Sequence, residues 1–190
     1  MIDETNAAFL KESLKKENSK NWYAHYHMGL VYYIEGRYKK AKKELEKSLS
    51  LAKNAWAFHA LSCVCLMQNK TELASKYIVK GIKMRQSDHS YLKEGFKILS
   101  LCGANQALCE FYESMDVEKK EISRIRFYYI RALHHLGKDK KAYELLEQNG
   151  GLEMEDIREG EDSIAQLWSQ LYQNLYGEKT QIPYKYNFKA

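Results

Sequence analysis

The sequence predicts an all-α fold, an array of helix–turn–helix units closed by a C-terminal capping helix and an extended tail. Three observations carry this prediction. The 190 residues include one proline and ten glycines, with 45% hydrophobic and 29% charged residues. That is long enough to bury a core, and too poor in turn formers for a β-sandwich, a collagenous segment or a low-complexity linker. Second, Ala41, Ala74, Ala107 and Ala142 recur at spacings of 33, 33 and 35, and twelve residues before each stand Gly29, Ser62, Gly95 and Ile130. Small residues at both places let two helices approach closely. Third, Gly36, Asn69, Gly103 and Gly137 fall four or five residues before each alanine, where a helix–helix turn needs a permissive backbone.

The elements follow in order. Residues 1–20 hold an N-terminal helix over about 5–17, with Phe9, Leu10 and Leu14 on its apolar side. It is either an ordinary cap or the second helix of an earlier unit whose first helix is missing, which would place the start of this chain inside a longer protein. Residues 21–149 hold four degenerate units. Residues 150–190 open with Gly150 and Gly151 and pass through the carboxylates Glu153, Glu155, Asp156, Glu159, Glu161 and Asp162. Ser163 and Gln166 have the spacing of a capping box. Ile164, Leu167, Trp168, Leu171 and Leu175 then form one apolar stripe expected to dock on the last units, since the open end of a solenoid needs covering. Gly177 ends this helix, and residues 178–190, with Pro183, Tyr184, Tyr186 and Phe188, read as the tail.

Met28, Gly29, Tyr32, Gly36, Tyr38, Ala41 and Leu45 match the spacing of a tetratricopeptide repeat, a helix–turn–helix unit of 34 residues. Leu61, Ser62, Ala74 and Ile78 continue the pattern, as do Gly95, Ala107 and Phe111, and then Leu133, Gly137, Ala142 and Leu146. Residues 21–149 thus resemble a tetratricopeptide-repeat (TPR-like) array, although the proline expected near the end of each unit is absent and Ile130 fills a slot that usually takes a small residue. Residues 152–190 carry a second resemblance, through Asp156 to Glu161, Ser163-Ile164, Leu167-Trp168, Pro183 and Asn187-Phe188. They are similar to the C-terminus of a bacterial family of large proteins of unknown function, in which β-rich domains precede TPR-like repeats. Such a relationship implies that the chain is the C-terminal part of a longer protein, with any carbohydrate-related chemistry in a portion outside this sequence.

In a TPR superhelix the first helix of each unit lines the concave surface through positions 2, 5, 9 and 12. That family geometry implies Tyr23, Tyr26, Leu30 and Tyr33; Trp56, His59, Cys63 and Leu66; His89, Leu92, Phe96 and Leu99; and Arg124, Phe127, Arg131 and His134. The partner-binding candidates among these are Tyr23, Tyr26, Tyr33, Trp56, His59, His89, Phe96, Arg124, Phe127 and Arg131. They would form an aromatic groove with an arginine end, suited to a peptide or an extended segment of a protein, since aromatics and Arg are the usual interface anchors. The competing reading puts many of these rings in the solenoid core. Tyr26 and Leu30 stand where a carboxylate clamp would place Lys and Asn, so a receptor for chaperone tails is not expected.

The remaining signals exclude other classes. Net charge is +5, with 17 basic and 10 acidic residues in 1–95 against 13 and 15 in 96–190. This asymmetry is too mild and too interspersed for a nucleic-acid binder, and the basic run Arg37, Lys39, Lys40, Lys42, Lys43 and Lys47 reads as a solvated helix face. Cys63, Cys65, Cys102 and Cys109 form no CxxC pair, so buried free thiols in a reducing cytoplasm are expected. His25/His27 and His134/His135 lack the i, i+4 spacing of a helical metal site. No phosphate-binding glycine loop or nucleophile elbow occurs, and carboxylates in a solvated stretch lack the burial that general acid–base work needs. Asp3, Glu4, Lys11 and Glu12 break any signal-peptide core in the first twenty residues, and no stretch approaches the roughly 18 apolar residues that would span a bilayer. The expectation is therefore a cytoplasmic, non-enzymatic protein–protein interaction scaffold with no cofactor or metal, whose partner is a protein or peptide segment and not nucleic acid or membrane. Two alternatives stay open: a structural module packing against β-rich domains of its own chain, and an accessory domain lending Arg124, Arg131 or His134 to a neighbouring active site.

Overall fold

The computed structural model describes residues 12, 20–154, 163–177 and 180–186. The helix expected over residues 5–17 therefore lies outside the described residues except for helical Glu12, as does the acidic stretch 155–162. The chain divides into two compact units, Met1–Gly103 and Ala104–Ala190. Among the described residues the regular structure is entirely helical.

In the first unit, α1 (Trp22–Ile34) pairs with α2 (Tyr38–Leu51), and α3 (Ala55–Met67) pairs with α4 (Thr71–Met84). The last helix, α5 (His89–Leu101), packs on α4 and touches α3. The first helices of the pairs start on polar caps. Asn21 accepts from the backbone N–H of Tyr23 at 3.0 Å and of Ala24 at 3.2 Å, Asn54 from Ala57 at 2.7 Å, and Asp88 from Tyr91 at 3.0 Å. Each cap satisfies a donor that the first helical turn leaves open. The turns that reverse the chain are left-handed at Gly36 (φ 71°) and at Asn69 (φ 56°), one of two non-glycine residues with positive φ among the described residues.

Close approach of α1 and α2 depends on Gly29, where an added Cβ would stand 2.6 Å from Leu45 Cγ. Ser48 donates to the Trp22 carbonyl at 2.8 Å, and His25 Nδ1 lies 2.6 Å from Glu44 Oε2, so polar contacts also tie this pair. Gly95 has a different job from the one its spacing suggests. A Cβ there would strike Ile82 Cγ1 at 2.5 Å, so its missing side chain makes room for the preceding helix α4. Likewise Gly81 leaves room for the Tyr91 ring, whose buried hydroxyl donates to the Ala55 carbonyl at 2.6 Å.

The second unit contains α6 (Asn105–Glu113), the short α7 (Val117–Lys120), α8 (Ser123–His135), α9 (Asp139–Glu147) and α10 (Ser163–Tyr176). Helix α8 packs between α6 and α9. Tyr112 and Tyr129 stack at 3.9 Å between α6 and α8, and the Tyr129 hydroxyl donates to Glu113 at 3.0 Å. Arg126 ties α8 to the end of α9 by donating to the Leu145 carbonyl and to Gln148, both at 3.0 Å. The C-terminal helix caps this unit by packing on α9 and α8, with Trp168 and Leu171 buried and Leu175 half-buried. Trp168 Nε1 donates to Glu147 at 2.8 Å. The tail is not wholly extended. Tyr184–Tyr186 form a 3₁₀ turn, and buried Tyr186 donates to the Leu146 carbonyl at 3.0 Å, which a free tail would leave in water.

Candidate functional site

Helix starts set the register of the candidate site. The helices that follow the caps and Ile122 begin at Trp22, Ala55, His89 and Ser123, at spacings of 33, 34 and 34. Leu108, fully buried, takes the place that Ala41, Ala74 and Ala142 hold, while Ala107 is half-buried. Spacing from the turn residue to this place is therefore five residues every time: Gly36 to Ala41, Asn69 to Ala74, Gly103 to Leu108, Gly137 to Ala142. Counting from Ala107 sets α5 one residue out of phase, and one residue turns a helical side chain by about 100°.

The consequence falls on the α5 candidates. Leu92, Phe96 and Leu99 are fully buried, and Phe96 takes the core place of Gly29 and Ser62. His89 is exposed at the first turn of the helix. Corrected by one residue, positions 2, 5, 9 and 12 become Ser90, Lys93, Lys97 and Ser100, all exposed or half-buried. The spacing of Gly36, Asn69, Gly103 and Gly137 was the signal that would have found them.

On α1 and α3 the candidates lie at the surface. Tyr23 is 55% and Trp56 44% exposed at equivalent positions, and Tyr26, Tyr33, His59 and Cys63 are half-buried. The rings brace one another, with Tyr23 edge-on to His27 at 4.2 Å and Trp56 edge-on to Tyr91 at 5.6 Å. Arg85 holds its guanidinium 4.6 Å over the Trp56 ring, a cation–π contact that fixes the indole. His59 Nδ1 lies 3.9 Å from the Cys63 sulfur.

The electrostatics of this face are those of a neutral surface. Burial pushes the Tyr26 hydroxyl upward, with smaller contributions from Tyr23 and Cys63, and burial likewise raises Tyr33. Burial lowers His59, against an opposing pull from Glu94, and burial also lowers His27. The Cys63 thiol is pushed up by burial and stays protonated at neutral pH, so it lacks the thiolate that nucleophilic chemistry needs. Beside these neutral rings, Lys93 and Lys97 on α5 supply positive charge, Lys97 lying 3.9 Å from Glu94.

Arg124, Phe127 and Arg131 belong to α8 in the second unit. Phe127 is 1% exposed and is core, with the half-buried Arg131 over its ring at 5.2 Å and over Tyr128 at 5.0 Å. Burial lowers Arg131 below the usual guanidinium value, and Tyr128 opposes the shift. Arg124 is half-buried. His134 Nδ1 lies 2.7 Å from Asp139, which also accepts from Asn174 at 2.8 Å, so this histidine joins α8, α9 and α10. Of the four cysteines, all free, Cys65 and Cys109 are buried as expected, whereas Cys63 and Cys102 are half-buried. Burial pushes the Cys102 thiol up to about 11. Among the described residues no group of three or more His, Cys, Asp or Glu is placed to hold a metal ion, and no helix is long and apolar enough to cross a membrane.

Residues 22–55 match the tetratricopeptide repeat family. Among solved structures, the chain is similar to YrrB, a TPR protein with an unusual peptide-binding site, at 18% identity and a TM-score of 0.61, covering 92% of this chain and 84% of that one. It is also similar to MamA, at 16% identity and a TM-score of 0.59, covering 94% and 87% of the two chains. A third similarity is to the Naa15/Naa10 structure bound to HypK-THB, at 16% identity and a TM-score of 0.57. There it covers 90% of this chain but spans only 26% of the other. No curated relative matches in sequence. The fold is thus a TPR-like helix–turn–helix solenoid with a C-terminal capping helix.

Proposed function

We propose that the chain is a non-enzymatic protein–protein interaction module, and that the face of α1, α3 and α5 in its first unit holds a peptide segment of a partner protein. Tyr23, Tyr26, Tyr33, Trp56 and His59 are the anchors, and Lys93 and Lys97 are the charged edge. The observation that carries this reading is the pairing of exposed Tyr23 and Trp56 at equivalent places on adjacent helices, each beside half-buried rings. Exposed aromatics braced by neighbours lose little conformational freedom on binding, which is why Tyr and Trp dominate interface hot spots. The fold shared with a TPR protein described as having a peptide-binding site supports the same reading. The neutral rings and the protonated Cys63 thiol support a binding face.

The reading is tested by selecting peptides from a random display library on the full chain and measuring each by fluorescence anisotropy. Tyr26→Ala with Trp56→Ala should weaken the selected peptides at least thirtyfold, the scale of about 2 kcal/mol for a hot-spot residue. Unchanged affinity in that folded double variant would place the binding surface elsewhere.

A further inference from the structure

In the second unit the end of α9 forms a socket that the tail of the chain fills. A helix leaves its last carbonyls without partners inside the helix and carries negative dipole charge there, so its C-terminus favours donors and cations. In α9 the Leu145 carbonyl accepts from Arg126 of α8, but the Leu146 carbonyl accepts at 3.0 Å from the hydroxyl of Tyr186 in the tail. A backbone hydrogen bond at Leu152 reaches the same hydroxyl, so the socket engages the phenol oxygen as well as the ring. Lys185 Nζ lies 2.5 Å from Glu147 Oε2 and donates to the Gly150 carbonyl at 3.0 Å. Gly151, at φ 120°, supplies the space: a Cβ there would stand 2.6 Å from the Tyr186 hydroxyl oxygen and 3.2 Å from Lys185 Cδ.

The anchor is confined to two adjacent side chains. Tyr186 is 1% exposed, whereas Thr180, Gln181, Tyr184 and Lys185 are exposed, and Ile182 and Pro183 are half-buried. The turn that presents the pair is local, closed by the Tyr186 backbone N–H donating to the Pro183 carbonyl at 2.9 Å. A short peptide therefore carries the groups that the socket engages. Glu147 links socket and cap: its Oε2 holds Lys185 while its Oε1 accepts from Trp168 Nε1 at 2.8 Å, and the Tyr186 and Trp168 rings lie 6.4 Å apart. Occupancy of the socket is thus felt at the Trp168 indole. The chemistry is also selective. A carboxylate in place of Lys185 would face Glu147 and the negative end of α9, and Phe in place of Tyr186 would leave the buried Leu146 carbonyl without its donor.

We propose that this socket is a binding site for a Lys-Tyr turn, filled by the chain's own tail and taken by the same dipeptide of a partner protein when the tail lifts. The test vacates the socket in the full chain with Lys185→Ala and Tyr186→Ala together, and titrates it by anisotropy with a fluorescein-labelled synthetic peptide of residues 180–186. The peptide should bind the vacated chain saturably and return the Trp168 indole N–H resonance toward its position in the unaltered chain. A tethered ligand acts at an effective concentration in the millimolar range, so the unaltered chain should take up the peptide at least tenfold more weakly. Peptides carrying Lys185→Glu or Tyr186→Phe should each bind at least fivefold more weakly, about the worth of one buried hydrogen bond. Glu147→Gln in the vacated chain keeps an acceptor for Trp168 and should weaken the peptide by as much. If the double variant loses its native circular dichroism, Lys185→Ala alone keeps the Tyr186 anchor and should still take up the peptide more tightly than the unaltered chain does. Absence of binding to the folded variant, equal binding of the three peptides, indifference to Glu147→Gln, or equal uptake by the Lys185→Ala and unaltered chains overturns the proposal. A Trp168 resonance that the peptide leaves unmoved overturns it too, because binding would then lie elsewhere.

Discussion

Replacing Gly29 with Ala tests the packing on which the first helix pair rests. The new Cβ would lie 2.6 Å from Leu45 Cγ and 2.7 Å from Leu45 Cδ2, against a usual carbon–carbon separation of about 3.5–4.0 Å. Roughly 1 Å must be found where Leu45 is wholly buried and the Ala41 carbonyl closes the other side at 3.4 Å. Overpacking of this kind costs about 1–3 kcal/mol. Helix propensity works the other way, favouring Ala over Gly by about 0.8–1.0 kcal/mol. The steric cost wins, leaving a net loss of about 1 kcal/mol. In a Leu45→Ala background the obstruction is gone, so the same Gly29→Ala change should stabilise by the propensity difference alone. Urea unfolding followed by far-UV circular dichroism reads both arms. With a slope near 2 kcal/mol/M, the midpoint should fall by about 0.5 M in the first background and rise by about 0.5 M in the second. A midpoint that rises by the same amount in both would refute close approach of α1 and α2 at this glycine.

At the other end of the chain, Trp168→Ala removes a buried ring and its hydrogen bond to Glu147, and should cost about 3–5 kcal/mol in the same unfolding assay. A loss under 1 kcal/mol would mean that the capping helix is dispensable. Asn69→Ala forces a Cβ-bearing residue without a helping side chain into φ 56°, at a cost of about 1–2 kcal/mol, whereas Asn69→Gly should be tolerated; equal effects would contradict the left-handed turn. The pH response follows from His59 and His27, which burial holds below the ordinary imidazole value. Unfolded imidazoles take up protons near pH 6.5 and the folded ones only at lower pH, so the unfolded state binds more protons in between. Stability is therefore full above pH 6.5 and declines as pH falls below it. His59→Gln should flatten that decline in thermal melts between pH 7 and pH 5, and an unchanged slope would remove His59 from the account.

Much of the architecture was written in short-range chemistry. Gly36, Asn69 and Gly137 stand where the chain must turn left-handed, Asn21, Asn54 and Asp88 cap the helices that follow, and the stripe through Trp168 and Leu171 finds its partner in α9. The candidate site was less legible because helical register tolerates no error. An anchor on Ala107 rather than buried Leu108 turns α5 by one residue, which sends buried Leu92, Phe96 and Leu99 to the surface and hides Lys93 and Lys97. Phe127 was misplaced for another reason: an aromatic at a lining position is equally at home in the core, and the sequence alone does not say that Arg131 covers it.

The central claim is that the face of α1, α3 and α5 is where a partner binds. Its most direct measurement is a ¹H–¹⁵N correlation spectrum of the full chain titrated with a display-selected peptide. Shifts concentrated on Tyr23, Tyr26, Tyr33, Trp56, His59, Lys93 and Lys97, with buried Phe96 and Phe127 little moved, are the predicted result. Shifts confined to α2 and α4, or to the second unit, would contradict it.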